Sequence, residues 1–532
     1  MALVPQRRST ATAADIPSTS NGLNITLGIE HEFMVLDTQR LDYRNQQKAD
    51  HGLSLVSQAL QKPMQITCTA CGQIHDYEQP IRVQNKVNDN SDHGCWNLVA
   101  DLSMKLKPRQ NAILRENGCE AYGVELTSRV LSAKEGKSTT RPMAQAKHIH
   151  TATYQEEISR FVVTVNELFP PQATATGHRQ ERRVVVNNTC SLHVHIGNGA
   201  AGFELQTVKN LLSICTAFER VMDSMHAASR IGCSALTLLP LDGDCGLEGT
   251  TMEVAKEGKL FRDTFNTSLT ERMLSNAYVS RSDNATFQEA AFGYHTMAFV
   301  EVIQQAPDIE SLRNLLSLCC ETTVNILHLV VNEGENVNEE RSYRRLNTIE
   351  FRQHGAVIDS REAVAWVDFL QTLVRYAYSQ SAESIRSVCE NVASDPHFVL
   401  ADLFKLLEIN EQTRRFYLTR SRESVQATFD LARAEAEALD SDDPFRAISL
   451  ELVNERAADH DPDNVASVIE RKFKEGGYGQ FSREFINAYA PYLSDNEEES
   501  STIGWVPPVT TKFDFGGSFD DMACDNDNET LA

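Results

Sequence analysis

The stretch Gly28-Ile29-Glu30-His31-Glu32-Phe33 constrains this chain most. Leu27 precedes it and Met34 and Val35 follow, so it reads as a strand. Side chains alternate between the two faces of a strand, which puts Glu30 and Glu32 on one face and Ile29, His31 and Phe33 on the other. Carboxylates at i and i+2 repel each other, and an ordinary sheet core would not keep them. Either that face is solvated, or a hard, oxygen-seeking cation removes the repulsion. His31 falls on the apolar side and reads as a core histidine.

Further strand-like segments repeat the pattern. Residues 118–130 set Glu125, Thr127 and Arg129 on one face, 191–197 set His193 and His195, and 344–355 set Glu350, Arg352 and His354. A strand over 96–103 adds Asp101 and Ser103. Apolar neighbours bracket each set. The simplest architecture is α+β: a curved antiparallel sheet, helices on its outer apolar face, and the polar groups in a concave open trough. Carboxylates with one or two imidazoles suit Mg²⁺ or Mn²⁺. An arginine beside them can hold a phosphoryl group, so the set fits phosphoryl transfer. The chain has no Gly-x-x-x-x-Gly-Lys-Ser/Thr loop, no Gly-x-Ser-x-Gly elbow and no His-Glu-x-x-His, which sets aside the chemistries those motifs serve.

A net charge of −24 argues against a nucleic-acid partner and against an anionic membrane surface. No apolar run is long enough to span a bilayer. Residues 1–22 lack a signal-peptide core and read as a disordered lead-in. Cys190, Cys215, Cys319 and Cys320 sit in apolar contexts, which suits buried thiols in the cytoplasm better than a disulfide framework. Cys68, Cys71, His93 and Cys95 have the residue types of a structural Zn²⁺ site, although one Cys-x-x-Cys pair reads equally as unliganded cysteines in a hairpin.

The pattern of strands and helices gives a folded body over 23–390, with helices at 48–60, 143–168, 205–230, 308–332 and 360–378, the last capped by Ser360. Residues 231–285 form an irregular insertion where substrate specificity is expected. A helical appendage over 396–492 follows, with segments at 398–408, 411–418, 421–439, 444–457, 464–475 and 480–489. In the tail from 494 ten Asp and Glu face one Lys, so 493–532 reads as disordered.

In chain order, GIEHEF, WNLVADLS, GVELTSRV, CSLHVHIG and TIEFRQHG, the last followed by a Trp-containing helix at 363–369, resemble the fungal-type amidoligase family. That family is similar to the carboxylate–amine ligases, with glutamine synthetase and the glutamate–cysteine ligases. The resemblance spans 24–380. It implies a glutamine synthetase-like sheet holding ATP and Mg²⁺ (or Mn²⁺). ATP would phosphorylate a carboxylate, and an amine would attack the acyl phosphate. The acid and amine would be small molecules or peptides.

By the same resemblance, Glu30 and Glu32 are metal ligands, Glu32 alongside Glu125. His193 or His195 lies at the metal and phosphate, Glu350 completes a metal site, and Arg352 contacts the phosphate in the transition state. Glu30 and Arg352 are the catalytic pair. Asp101 and Arg230 are candidates for phosphate or nucleotide, with a sheet-edge hydrogen bond and a helix C-terminal cation as their plainer readings.

Two departures stand out. The family's separate Asn-containing strand has no clear counterpart, because Asn347 runs directly into Glu350. Ser128-Arg129 stands where the family often has Ser-Pro. The same trough would also serve a metal-dependent phosphotransferase or hydrolase, or a non-catalytic binding protein. The acid, the amine and the oligomeric state are not legible.

Overall fold

A computed structural model describes residues 22–38, 45–60, 64–67, 72–77, 81–84, 95–101, 104–133, 153–169, 181–231, 296–316, 323–329, 347–395, 397–420 and 422–474. The Glu30 stretch is the middle of its sheet. The strands are β1 (Thr26–Asp37), β2 (Met64–Thr67), β3 (Ile74–Tyr77), β4 (Ile81–Gln84), β5 (Trp96–Ala100), β6 (Glu120–Thr127), β7 (Leu131–Ser132), β8 (Arg182–Val185), β9 (Ser191–Gly197), β10 (Val324–Asn325) and β11 (Thr348–Gly355). Nine of them form one sheet in the order β10-β11-β9-β1-β6-β5-β4, with β7 and β8 also on β1, while β2 and β3 pair apart. Every pairing is antiparallel except β4 with β5. The fold is therefore α+β with a mainly antiparallel sheet, and its one parallel pair corrects the wholly antiparallel expectation.

The apolar face of β1 carries the core. Ile29, His31 and Phe33 are fully buried, and the His31 ring bonds the Val357 and Glu32 carbonyls at 3.0 and 3.1 Å. Desolvation holds His31 down at about 4, so it stays a neutral core histidine. The Leu205–Asp223 helix is apolar at helical spacing and is buried nearly all round. It packs on the Ser360–Ser379, Thr296–Gln305 and Ala382–Ser394 helices. It stops at Asp223, short of the expected 230, and Ala228–Arg230 is a separate 3₁₀ turn. The cap of Ser360–Ser379 is Asp359, whose carboxylate accepts from the Arg361 amide, and not Ser360.

Two differences bear on the site. The apolar run expected as one helix over 308–332 contains the Ile309–Leu316 helix and then strand β10. Sheet pairing overrides helical periodicity there. The register between β9 and β11 shifts between Phe351 and His354, a β-bulge. His354 therefore lies opposite Leu192 on the core side, against Trp366 and His226, and not beside Arg352.

The C-terminal helices are built into the body. Phe445, Ile448 and Leu452 bury with Leu36, Leu114 and Cys119. Lys472, 2% exposed, donates to Glu219 and Asp223, each at 3.1 Å. No described helix is long and apolar enough to cross a membrane. The expected lead-in up to 21, the 232–285 part of the insertion, Cys68, Cys71, His93, the 480–489 helix and the acidic tail lie outside the described residues. Cys95 is buried.

Candidate active site

Directly paired residues of antiparallel strands share a face, so register assembles the site. Glu32 sits opposite Glu125, and Glu30 opposite Thr127 on one side and His193 on the other. His195 sits opposite Glu350, which sits opposite Asn325 on β10. Val99 sits opposite Glu125, and Asp101 follows two residues on. Gly123 makes room for that corner: a Cβ there would collide with the Asp101 carbonyl. The face is partly covered: Glu350 and His193 are each 2% exposed, whereas Glu30, Asp101, Glu125 and Arg352 are half-buried.

The carboxylates fall into two clusters. Glu30, His195 and Glu350 bring one ligand atom each within 4.8 Å of one another, and so do Glu32, Asp101 and Glu125. The first cluster is compensated. Glu30 takes His195 Nε2 at 3.0 Å and His193 Nδ1 at 3.2 Å. Glu350 accepts from Arg352 at 2.5 Å and Asn325 at 2.8 Å, with His328 Nε2 at 3.1 Å. Burial alone would raise both carboxyls. His195 and His193 outweigh it at Glu30, and Arg352, then His328, outweigh it at Glu350, so both lie below the usual range. Burial would likewise lower His195, but Glu30 and then Glu350 raise it.

The second cluster is acidic only. Burial pushes Glu32 up, with Asp101 adding to it. Burial, then Glu30, Glu32 and Asp101, push Glu125 well up. Thr127 Oγ1 donates to Glu125 at 3.0 Å, and the Ser191 amide to Glu32 at 2.7 Å. His193 Nε2 is buried with no hydrogen-bond partner among the described residues, and the nearest Glu32 oxygen is 3.7 Å away. Crowded, buried carboxylates and an orphaned imidazole nitrogen beside them fit divalent cations.

Two sequence candidates are placed differently. Arg230, 3% exposed, donates to Ser191 Oγ at 2.8 Å, the Asn188 carbonyl at 2.9 Å and the Cys190 carbonyl. It holds the turn before β9. Arg129 leaves the Glu125 face, and its Nη2 donates to both carboxylate oxygens of Glu157, at 2.5 and 2.6 Å. Two residues at the site were not anticipated, Asn325 and His328. They lie in or beside strand β10, in the apolar run read as helix, and Asn325 puts an asparagine on the strand that pairs with β11. Asn347 instead sits just before β11 with φ 53°, and its amide bonds the His328 carbonyl at 2.9 Å.

Residues 23–233 match the sequence model of a family described as "Putative amidoligase enzyme". The matched family is one of enzymes, and the match takes in β1, β5, β6 and β9. It ends before β10 and β11, and so is narrower than the 24–380 span drawn from the motifs. No curated protein matches the chain.

Proposed function

We propose that this chain is a cytoplasmic ATP- and Mg²⁺-dependent carboxylate–amine ligase with a glutamine synthetase-like catalytic sheet. It would join a small-molecule or peptide acid to an amine, through an acyl phosphate, as an amide or isopeptide. The observation that carries this reading is the pair of carboxylate clusters on one partly covered sheet face, with Arg352 acting electrostatically on Glu30, Glu32 and Glu350.

Glu32, Asp101 and Glu125 would hold one cation, and Glu30, His195 and Glu350 a second. Bound there, the cations would neutralise the phosphate chain and orient the transferred group. The residues around them do the rest. Arg352, held by Glu350, stabilises charge developing on the phosphoryl oxygens. Asn325 and His328 keep the Glu350 carboxylate ionised and oriented. The Ser191 amide orients Glu32. Partial burial of the face limits the water that would hydrolyse an acyl phosphate.

The test is thermal unfolding with and without a Mg²⁺-bound, non-hydrolysable ATP analogue, in the wild type, Glu30→Gln and Arg352→Ala. A ligand of the folded state adds about 2.7 kcal/mol at a hundredfold excess over its Kd. The reading expects a Mg²⁺-dependent shift that both variants lose, and ATP consumption that needs an added amine. No shift in the folded wild type overturns it in favour of a non-catalytic binding protein.

A further inference from the structure

The bulge in β11 carries Arg352, and what holds the bulge leads to the C-terminal helices. Phe351 pairs with Val194 and His354 with Leu192, so Arg352 and Gln353 together stand opposite one residue, His193. Bulges of this kind re-aim side chains beside active sites. The Arg352 guanidinium reaches Glu350 at 2.5 Å and His193 Nδ1 at 3.4 Å, and the Arg352 backbone amide donates to the Thr323 carbonyl at 2.9 Å. Gln353 turns the other way and is buried.

A side-chain amide in a core needs a partner. Gln353 Nε2 donates to Asp223 Oδ1 at 2.5 Å. Asp223 ends the Leu205–Asp223 helix and is 1% exposed. A carboxylate so deep needs a cation in turn. Lys472 supplies it, donating to Asp223 Oδ2 and also to Glu219 Oε1, four residues earlier on the same helix face. Lysine is almost never fully buried unless paired. Here its ammonium lies between two carboxylates that would otherwise repel each other. Each member requires the next, from the bulge to the Pro462–Lys474 helix.

That helix lies beyond the 23–233 region matched by the family model. Among the described residues it adds none to either carboxylate cluster. Its tie to the candidate active site is therefore indirect, and it runs through this chain of polar contacts.

We propose that Lys472 is a positioning residue for Arg352. Through Asp223 and Gln353 it pins the bulge from the core side. This fixes the peptide next to Arg352 and keeps the guanidinium on Glu350 and beside His193. Without the ammonium, Glu219 and Asp223 would push apart, and Asp223 would leave Gln353. The pinning needs neither nucleotide nor metal; its use in phosphoryl transfer rests on the ligase reading.

Two measurements on the full-length protein test this. The first is a double-mutant cycle in urea, without metal or nucleotide. Lys472→Met should lower the unfolding midpoint less in an Arg352→Ala background than in the wild type, because part of its effect passes through Arg352. Val465→Ala, on the same helix but packed on Ala228 and Ile231, should lower it equally in both, since unlinked sites add. Gln353→Leu cuts the chain yet leaves Lys472 its carboxylates, and it replaces Lys472→Met in the cycle if that variant does not fold. The second measurement is affinity for the Mg²⁺-bound ATP analogue, from melting shifts at several concentrations. Lys472→Met and Gln353→Leu should weaken it about tenfold, as for a weakened charged hydrogen bond, while Val465→Ala leaves it unchanged. Additive midpoints overturn the proposal, and so does unaltered affinity in both variants when the wild type binds the analogue. A wild type that binds no analogue overturns the ligase reading alone, and the urea cycle then decides this proposal.

Discussion

The two halves of the candidate site solve the same electrostatic problem differently. On the β9–β11 side each carboxylate is hydrogen-bonded by an imidazole or guanidinium group of the protein. Glu30 has two histidines, and Glu350 has Arg352, Asn325 and His328. On the β6–β5 side Glu32, Asp101 and Glu125 crowd one another, and burial and mutual repulsion raise Glu32 and Glu125. The first half is finished by the polypeptide, whereas the second is left with negative charge that an added cation would neutralise. A hard, all-oxygen set of this kind favours Mg²⁺, while the histidine in the other half widens its choice of metal.

The largest test of this contrast is Glu350→Ala. It strands Arg352 and His328, and breaking a buried pair from one side costs about 3–5 kcal/mol. Urea unfolding without metal should show that loss. Glu125→Gln should behave oppositely, with metal-free stability unchanged or higher because a repulsion is removed. Its Mg²⁺ response, about 2.7 kcal/mol at a hundredfold excess over Kd in the wild type, should vanish in a thermal melt. If Glu125→Gln instead destabilised the metal-free protein as Glu350→Ala does, the two halves would not differ.

Gly123→Ala sharpens the comparison by moving Asp101 without touching a carboxylate. Overpacking costs about 1–3 kcal/mol, and Mg²⁺ affinity should fall while the Glu30 half is undisturbed. Isothermal titration with Mg²⁺ checks this.

The opposite face of β11 supplies a control. His226 and His354 are pushed down, first by burial and then, at His226, by His354 and Arg420. A histidine whose folded pKa is depressed adds stability that is present above its unfolded value near 6.5 and lost as pH falls below it. His226→Leu should therefore flatten the acid loss of stability by up to about 1.4 kcal/mol per pH unit, measured by unfolding between pH 7 and 5. The smallest effect belongs to Thr127→Val. Removing its bond to Glu125 should change stability by about 1 kcal/mol and weaken Mg²⁺ binding slightly.

Much of this was legible in the chain. Glu30 and Glu32 on one face, His31 behind them, and the strand faces of Glu125, His193 and His195 follow from period-two alternation, a local property of extended backbone. Three things were not legible, each for a reason outside local geometry. His354 changes face because of a bulge that exists only in the pairing of β9 with β11. Asn325 and His328 were hidden in an apolar run that reads as helix until β11 pairs with it. Arg129 faces away because Glu157, on a helix 28 residues later, offers it both carboxylate oxygens.

The sequence by itself determined which side chains could share a face, and hence that this chain would carry acids and imidazoles together on a sheet. Which strands are neighbours, and in what register, was decided by packing between distant segments. That register divides the carboxylates into a compensated cluster and an acidic one. The same long-range packing sets the Pro462–Lys474 helix against the Leu205–Asp223 helix, where Lys472 meets Asp223. No window of sequence contains both partners of such contacts, so only the folded chain could bring them together.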